Sequence, residues 1–105
     1  MSSFIQVNQS NFQETISLAN KLVLIEITAP WCGACKSLEP ILQEILTGNP
    51  SKIAVGILDA DENSNLVNRL KIMSVPTIIV FQDGKEEKRV FGLVAKDELL
   101  KEIEI

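Results

Sequence analysis

Cys32 and Cys35 are the only cysteines in the chain, three positions apart in Trp31-Cys32-Gly33-Ala34-Cys35. Before them Leu22, Val23, Leu24, Ile25 and Ile27 read as a buried strand. After them apolar residues recur at helical spacing, so the pair sits where a strand gives way to a helix. A helix start presents unpaired amides and the positive end of the helix dipole, which stabilise a thiolate on Cys32 and lower its pKa. The thiolate is the attacking form. Cys35, one helical turn later, is near enough to close a disulfide with Cys32 or to resolve a mixed disulfide formed there, so the pair can cycle two electrons. Two other uses of a cysteine pair fit less well. Structural zinc takes four thiolate or imidazole ligands, and this chain has no third cysteine and no histidine. A static cross-link across so small a loop removes little chain entropy, and cytosolic thiols are kept reduced.

Three neighbours bear on that chemistry. Glu26, six residues before Cys32, is the one charged residue inside the apolar strand, flanked by Ile25 and Ile27. Burying it ionised is expensive, so desolvation should raise its pKa towards neutrality. That suits a group which takes and gives the Cys35 proton. The competing reading is a carboxylate that reaches the rim or is paired structurally. Trp31 offers a flat apolar surface for docking unfolded or loop segments, against the alternative of a core aromatic. Lys36 is either a solvated charge or an electrostatic aid to the thiolate.

The elements that must hold these residues follow from period and punctuation. Ser10-Asn11-Phe12-Gln13 reads as a capping box opening a short helix to about Asn20, with Phe12, Ile16 and Ala19 as its buried stripe. Leu22–Thr28 reads as a central strand covered on both faces. Leu38, Ile41, Leu42, Ile45 and Leu46 mark the helix after the cysteines, ended by Gly48 and Pro50, with a kink expected at Pro40. Residues 53–58 form a second buried strand, and the polar stretch 59–65 leads to a short helix carrying Leu66, Val67 and Leu70. Thr77–Gln82 and residues 86–91 are strands joined through the Asp83-Gly84 turn. Leu99, Leu100 and Ile103 mark a last amphipathic helix, with residues 101–105 expected to fray. Early β-α-β-α alternation followed by a hairpin implies an α/β fold with a mixed sheet.

With 105 residues, the chain is read as one domain, residues 1–105. It has 46% apolar and 23% charged residues, a balance that builds a core and excludes disorder. Ten basic against fourteen acidic residues give a net charge of −4, which removes the basic footprint that nucleic acid requires. No apolar stretch is long enough to span a membrane, and residues 1–30 hold one basic residue, Lys21, with no signal-peptide pattern. A soluble cytoplasmic protein is expected. There is no Gly-x-Gly-x-x-Gly run for a flavin or nicotinamide, so electrons must come from a partner.

The motifs together resemble the thioredoxin family over nearly the whole chain. Trp31-Cys32-Gly33-Ala34-Cys35-Lys36 is similar to the family's Trp-Cys-Gly-Pro-Cys-Lys, and Ala29-Pro30 precedes it much as in the family. Val75-Pro76-Thr77 resembles its cis-proline segment, Phe81-Gln82-Asp83-Gly84 its hairpin and Gly92 its late glycine. The resemblance implies the thioredoxin fold, a mixed sheet of five strands flanked by four helices. It implies a protein disulfide reductase in which Cys32 attacks the substrate disulfide and Cys35 releases the product. It also implies a cis Val75–Pro76 bond, with the backbone of Val75 pairing with a substrate strand and Gly92 giving clearance. Trp31, Gly33 and Ala34 would complete the substrate surface. Glu26 stands where the family has a proton-carrying Asp. The implied cofactor set is the Cys32–Cys35 disulfide alone, without metal. The implied partners are disulfide-containing proteins and a thioredoxin reductase, acting on a monomer.

Three positions depart from the family pattern. Ala34 replaces proline, which loosens the helix start and, by analogy, makes the couple less reducing. Ile57 stands where relatives often have a lysine near the buried acid, removing a counter-charge and raising the Glu26 pKa further. Thr28 occupies a frequent aromatic position. Two other functions compete: a binding or assembly module with dispensable cysteines, and a glutathione-coupled or oxidising relative.

Overall fold

Strand β2 (Leu22–Thr28) anchors the architecture because five successive residues, Val23 to Ile27, are buried, as a strand with both faces covered requires. The computed structural model describes residues 3–103. In chain order these form β1 (Ile5–Val7), α1 (Phe12–Ile16), β2, α2 (Gly33–Gly48), β3 (Ile53–Asp59), α3 (Ser64–Arg69), β4 (Thr77–Gln82), β5 (Lys85–Phe91) and α4 (Lys96–Ile103). The sheet order is β1-β3-β2-β4-β5, with β1, β3 and β2 parallel and β4 and β5 antiparallel to their neighbours. This is the mixed five-stranded α/β sheet with four helices of the thioredoxin fold.

Alternation along β2 divides the core in two. Leu24 packs with Val55, Ile57, Ile78 and Val80 against Leu38 and Leu42 of α2 and Leu99 of α4. Val23, Ile25 and Ile27 face the other way, towards Ile16 of α1 and Leu66 of α3. Glu26 has the parity of Leu24, so the sheet turns it to the α2 side. Asp83 and Gly84 take φ of 54° and 79°, the positive pair that a two-residue hairpin turn demands, and the Gly84 amide donates to the Ile16 carbonyl at 3.1 Å.

Several expectations need correction. The capping box does not form: Asn8 Oδ1 accepts from the Ser10 and Asn11 amides and from the Ser10 hydroxyl, so an Asx turn engages Ser10 instead. Asn11 becomes the N-cap and the helix stops at Ile16, well short of Asn20, which has φ of 61°. Ala19 is exposed and Thr15 takes the buried place beside Ile16. Residues 101–103 belong to α4, while the rest of the expected fraying tail, residues 104 and 105, lies outside the described residues. Strand β1 escaped the residue pattern, since three residues carry too little periodicity. Helix α2 continues past Pro40, which has no amide to donate.

Candidate active site

The end of β2 delivers the chain through Ala29, whose carbonyl accepts from the Cys32 amide at 3.1 Å. That turn places Cys32 as the N-cap of α2 in an extended conformation, with φ of −93° and ψ of 103°. Cys32 and Cys35 form a disulfide with Cα atoms 5.3 Å apart, well inside the range that bridging needs. The Cys35 amide donates to Cys32 Sγ at 3.1 Å, so an unpaired amide of the helix start is directed at this sulfur. Cys32 is 6% exposed and Cys35 0%. Of the two residues, only Cys32 keeps any exposure.

Val75 packs against the cluster of Ala29, Cys32 and Cys35. The Val75–Pro76 peptide bond is cis, Pro76 is buried, and the Pro76 carbonyl accepts from the Gly92 amide at 2.9 Å. Thr77 pairs with Phe91 across β4 and β5, so residues 91–93 lie alongside the segment that faces the cysteines. Gly92 has φ of +77°, and a Cβ there would meet no atom within 4 Å. Its glycine therefore answers to backbone conformation and leaves open space above it. Gly33 and Ala34 are exposed at the first turn of α2.

Trp31 is 72% exposed, which removes the core-aromatic reading. Its indole Nε1 donates to Asp61 Oδ2 at 3.2 Å, fixing the ring at one end. Asp61 is the first of two groups that the sequence reading missed. An Asp in a polar loop 30 residues away carries no local signal. Met73, Phe91 and Leu93 are also exposed, and they add apolar surface on the segments around Pro76 and Gly92. Lys36 is exposed.

Glu26 is fully buried, and among the described residues neither carboxyl oxygen has a hydrogen-bond partner. Its register neighbours are Ile57 on β3 and Ile78 on β4, both buried, so the sheet supplies hydrocarbon where a cation would be needed. Desolvation pushes its pKa up from 4.5 to about 8, and the charge of Glu39 on α2 adds to the rise. Glu39 is the second group missed, because its nearness to Glu26 arises only when α2 lies on the sheet. The alternatives of a snorkelling or paired carboxylate do not match this burial.

A groove of about 600 Å³ lies elsewhere, lined by residues such as Asn20, Lys21 and Lys52 at the opposite end of β2. Ligands of open α/β sheets sit at the carboxyl ends of parallel strands, where the cysteines are. Among the described residues, no group of three or more His, Cys, Asp or Glu could hold a metal ion. No helix among them is long and apolar enough to cross a membrane.

A disulfide at the start of α2, with Cys32 barely exposed and Cys35 fully buried, on a mixed sheet of this order, defines a thiol-disulfide oxidoreductase. A family model described as thioredoxin matches residues 3–105. The thioredoxin of Mycobacterium tuberculosis strain H37Rv is 37% identical over 102 residues, covering 97% of this chain and 88% of the relative. That of Chlamydia trachomatis serovar D is 40% identical over 95 residues, covering 90% of each. The bifunctional thioredoxin reductase/thioredoxin of Mycobacterium leprae is 35% identical over 99 residues, 94% of this chain and 22% of that longer protein. The chain belongs to the thioredoxin family.

Proposed function

We propose that the protein reduces disulfides of other proteins, with Cys32 as the attacking thiolate and Cys35 as the resolving thiol. The observation that carries this assignment is the asymmetry of the pair: Cys32 caps the helix and retains access, while Cys35 has none. In the reduced protein, Cys32 S⁻ attacks one substrate sulfur and the other leaves as thiolate, giving a mixed disulfide. The Cys35 thiol then loses its proton to Glu26 and attacks Cys32 Sγ. The substrate's remaining sulfur departs as a thiolate, two electrons have passed to the substrate, and the Cys32–Cys35 disulfide is left. A Glu26 pKa near 8 lies close to that of a free thiol, about 8.5, so transfer between them is nearly balanced.

Substrate recognition rests on the surface around Cys32. The backbone of Val75, turned by cis-Pro76, pairs with an extended substrate segment, and Gly92 gives that segment room. Trp31 with Gly33 and Ala34 forms the opposite edge. The two electrons are returned by a thioredoxin reductase, a donor that one relative carries in the same polypeptide by its name. The protein works as a cytoplasmic monomer, and the disulfide is its only redox group.

The test is trapping. Cys35→Ser should accumulate a disulfide-linked complex with a protein substrate such as insulin, released by dithiothreitol, whereas Cys32→Ser should neither trap nor turn over. Full turnover by Cys32→Ser would overturn the assignment and favour a binding module.

A further inference from the structure

Glu26 cannot reach solvent, yet a group that takes a proton from Cys35 must hand it on before the next cycle. Its surroundings offer few ways to do so. On its own sheet face it is hemmed in by Leu24, Ile57 and Ile78, and helix α2 lies across it. On α2, Cys35 and Leu38 are wholly buried, and the next residue, Glu39, is half-buried at the margin of that face. Glu39 stands four residues after Cys35, so the two lie one above the other on the helix. Cys35, Leu38 and Glu39 thus run from the buried side of α2, on the sheet face that holds Glu26, to its half-buried margin.

We infer that Glu39 is a positioning residue for disulfide exchange: its carboxylate, at the margin of the helix that carries Cys35 and packs on the sheet face of Glu26, governs how readily Glu26 takes and gives the Cys35 proton. The inference rests on the role given to Glu26 above. It stands on the placement of the three groups and is supported by the direction in which Glu39 moves Glu26, upward. A second negative charge nearby disfavours ionisation and keeps Glu26 loaded with a proton.

No other charge among the described residues competes for this part. From β3 the facing residue is Ile57, and Asp59 at the strand end directs Oδ1 to the amides of Asp61 and Glu62. From β4 come Ile78 and Val80. Helix α4 turns Leu99 and Ile103 to this core, and its charged residues, Lys96, Asp97, Glu98, Lys101 and Glu102, are exposed. On α2 itself Lys36 and Glu44 are exposed, the latter 3.7 Å from Lys96 Nζ. Ile57, lying beside Glu26, leaves the effect of Glu39 unopposed.

The experiment uses the full chain with carboxyl-labelled glutamate and follows the Glu26 carbon resonance through a pH titration in wild type, Glu39→Gln and Glu39→Asp. In parallel, the reduced proteins react with excess 5,5′-dithiobis(2-nitrobenzoate), in which the first thiol released reports Cys32 attack and the second reports Cys35. Glu39→Gln should raise the ionised fraction of Glu26 at pH 7 about two- to five-fold, the change that removing one partly screened charge supplies. The pH profile of the second release should move to lower pH with it, the first release should stay as in wild type, and Glu39→Asp should restore both. An unmoved Glu26 midpoint overturns the role of Glu39 and leaves Glu26 as proton carrier. A moved midpoint with an unmoved second release overturns the proton-carrying role of Glu26 and, with it, the catalytic effect of Glu39.

Discussion

Replacing Glu26 by glutamine should make the protein more stable, and by an amount that grows with pH. Folding puts the carboxyl among Leu24, Ile57 and Ile78 without a hydrogen-bond partner among the described residues, and its pKa rises from 4.5 to about 8. For an acid whose folded pKa is raised, the sign is fixed. Between those two values the unfolded chain is ionised and the folded one holds its proton, so the native state binds more protons and stability falls as pH rises. The fall is about 1.36 kcal/mol per pH unit, which gives about 3 kcal/mol by pH 7 and about 5 once the pH exceeds the folded value. Below pH 4.5 both states are protonated and the penalty vanishes.

A glutamine in this place would be neutral at every pH and of nearly the same shape, so the variant removes the titration and little else. Guanidinium unfolding of the oxidised wild type and Glu26→Gln at about pH 4, 6, 7 and 8.5 gives two stability curves. Their difference should be small at pH 4, about 3 kcal/mol at pH 7 and larger still at 8.5. Contributions from the other carboxylates and lysines are common to both proteins and cancel. Parallel curves across this range would refute the reasoning, since they would mean that Glu26 titrates alike in the folded and unfolded chain.

Two further substitutions separate the frame from the surface. Trp31→Ala should change stability by no more than about 0.5 kcal/mol, because the ring is already 72% exposed, while raising KM for a protein disulfide about five- to tenfold and leaving a small aromatic disulfide unaffected. An equal loss with both substrates would assign Trp31 to the chemistry instead of docking. Gly56→Ala, in the middle of β3, should cost about 1–3 kcal/mol in a denaturation experiment, because its new Cβ would stand 2.5 Å from Val7 Cγ2 and 2.8 Å from Ile25 Cδ1; wild-type stability would show that β1 can shift to admit it.

The contrast between what the residues disclosed and what they concealed has a physical basis. Strands β2 and β4 were legible to the residue because their signals are local: nearly continuous apolar, β-rich runs, bounded by Lys21 and Ala29 in one case and by Pro76 and Asp83 in the other. Cys32 and Cys35 were legible for the same reason, since a strand end, a helix start and the pair between them are contiguous. The first helix misled because two local signals overlapped, and Asn8 took both the Ser10 amide, which Gln13 would have capped, and the Ser10 hydroxyl. Asp61 and Glu39 were out of reach altogether. One bonds Trp31 and the other acts on Glu26 only through packing of separate segments, and nothing in their own neighbourhood marks them.

The energetics of Glu26 also bear on whether its role is structural. A buried carboxyl kept for structure is held by donors or a cation, because only those repay its desolvation. Here its register neighbours are isoleucines, its one charged influence is of the same sign, and neither oxygen is bonded by a described residue. Leucine at this position would continue the pattern of Leu24 and remove a cost of about 3 kcal/mol at pH 7, a large share of the roughly 5–15 kcal/mol that separates folded from unfolded chains. A residue so placed weakens the fold it sits in. In the function proposed above, what it gains for that cost is a proton affinity matched to a thiol, on the sheet face covered by the helix that carries Cys35, and no hydrocarbon side chain supplies that.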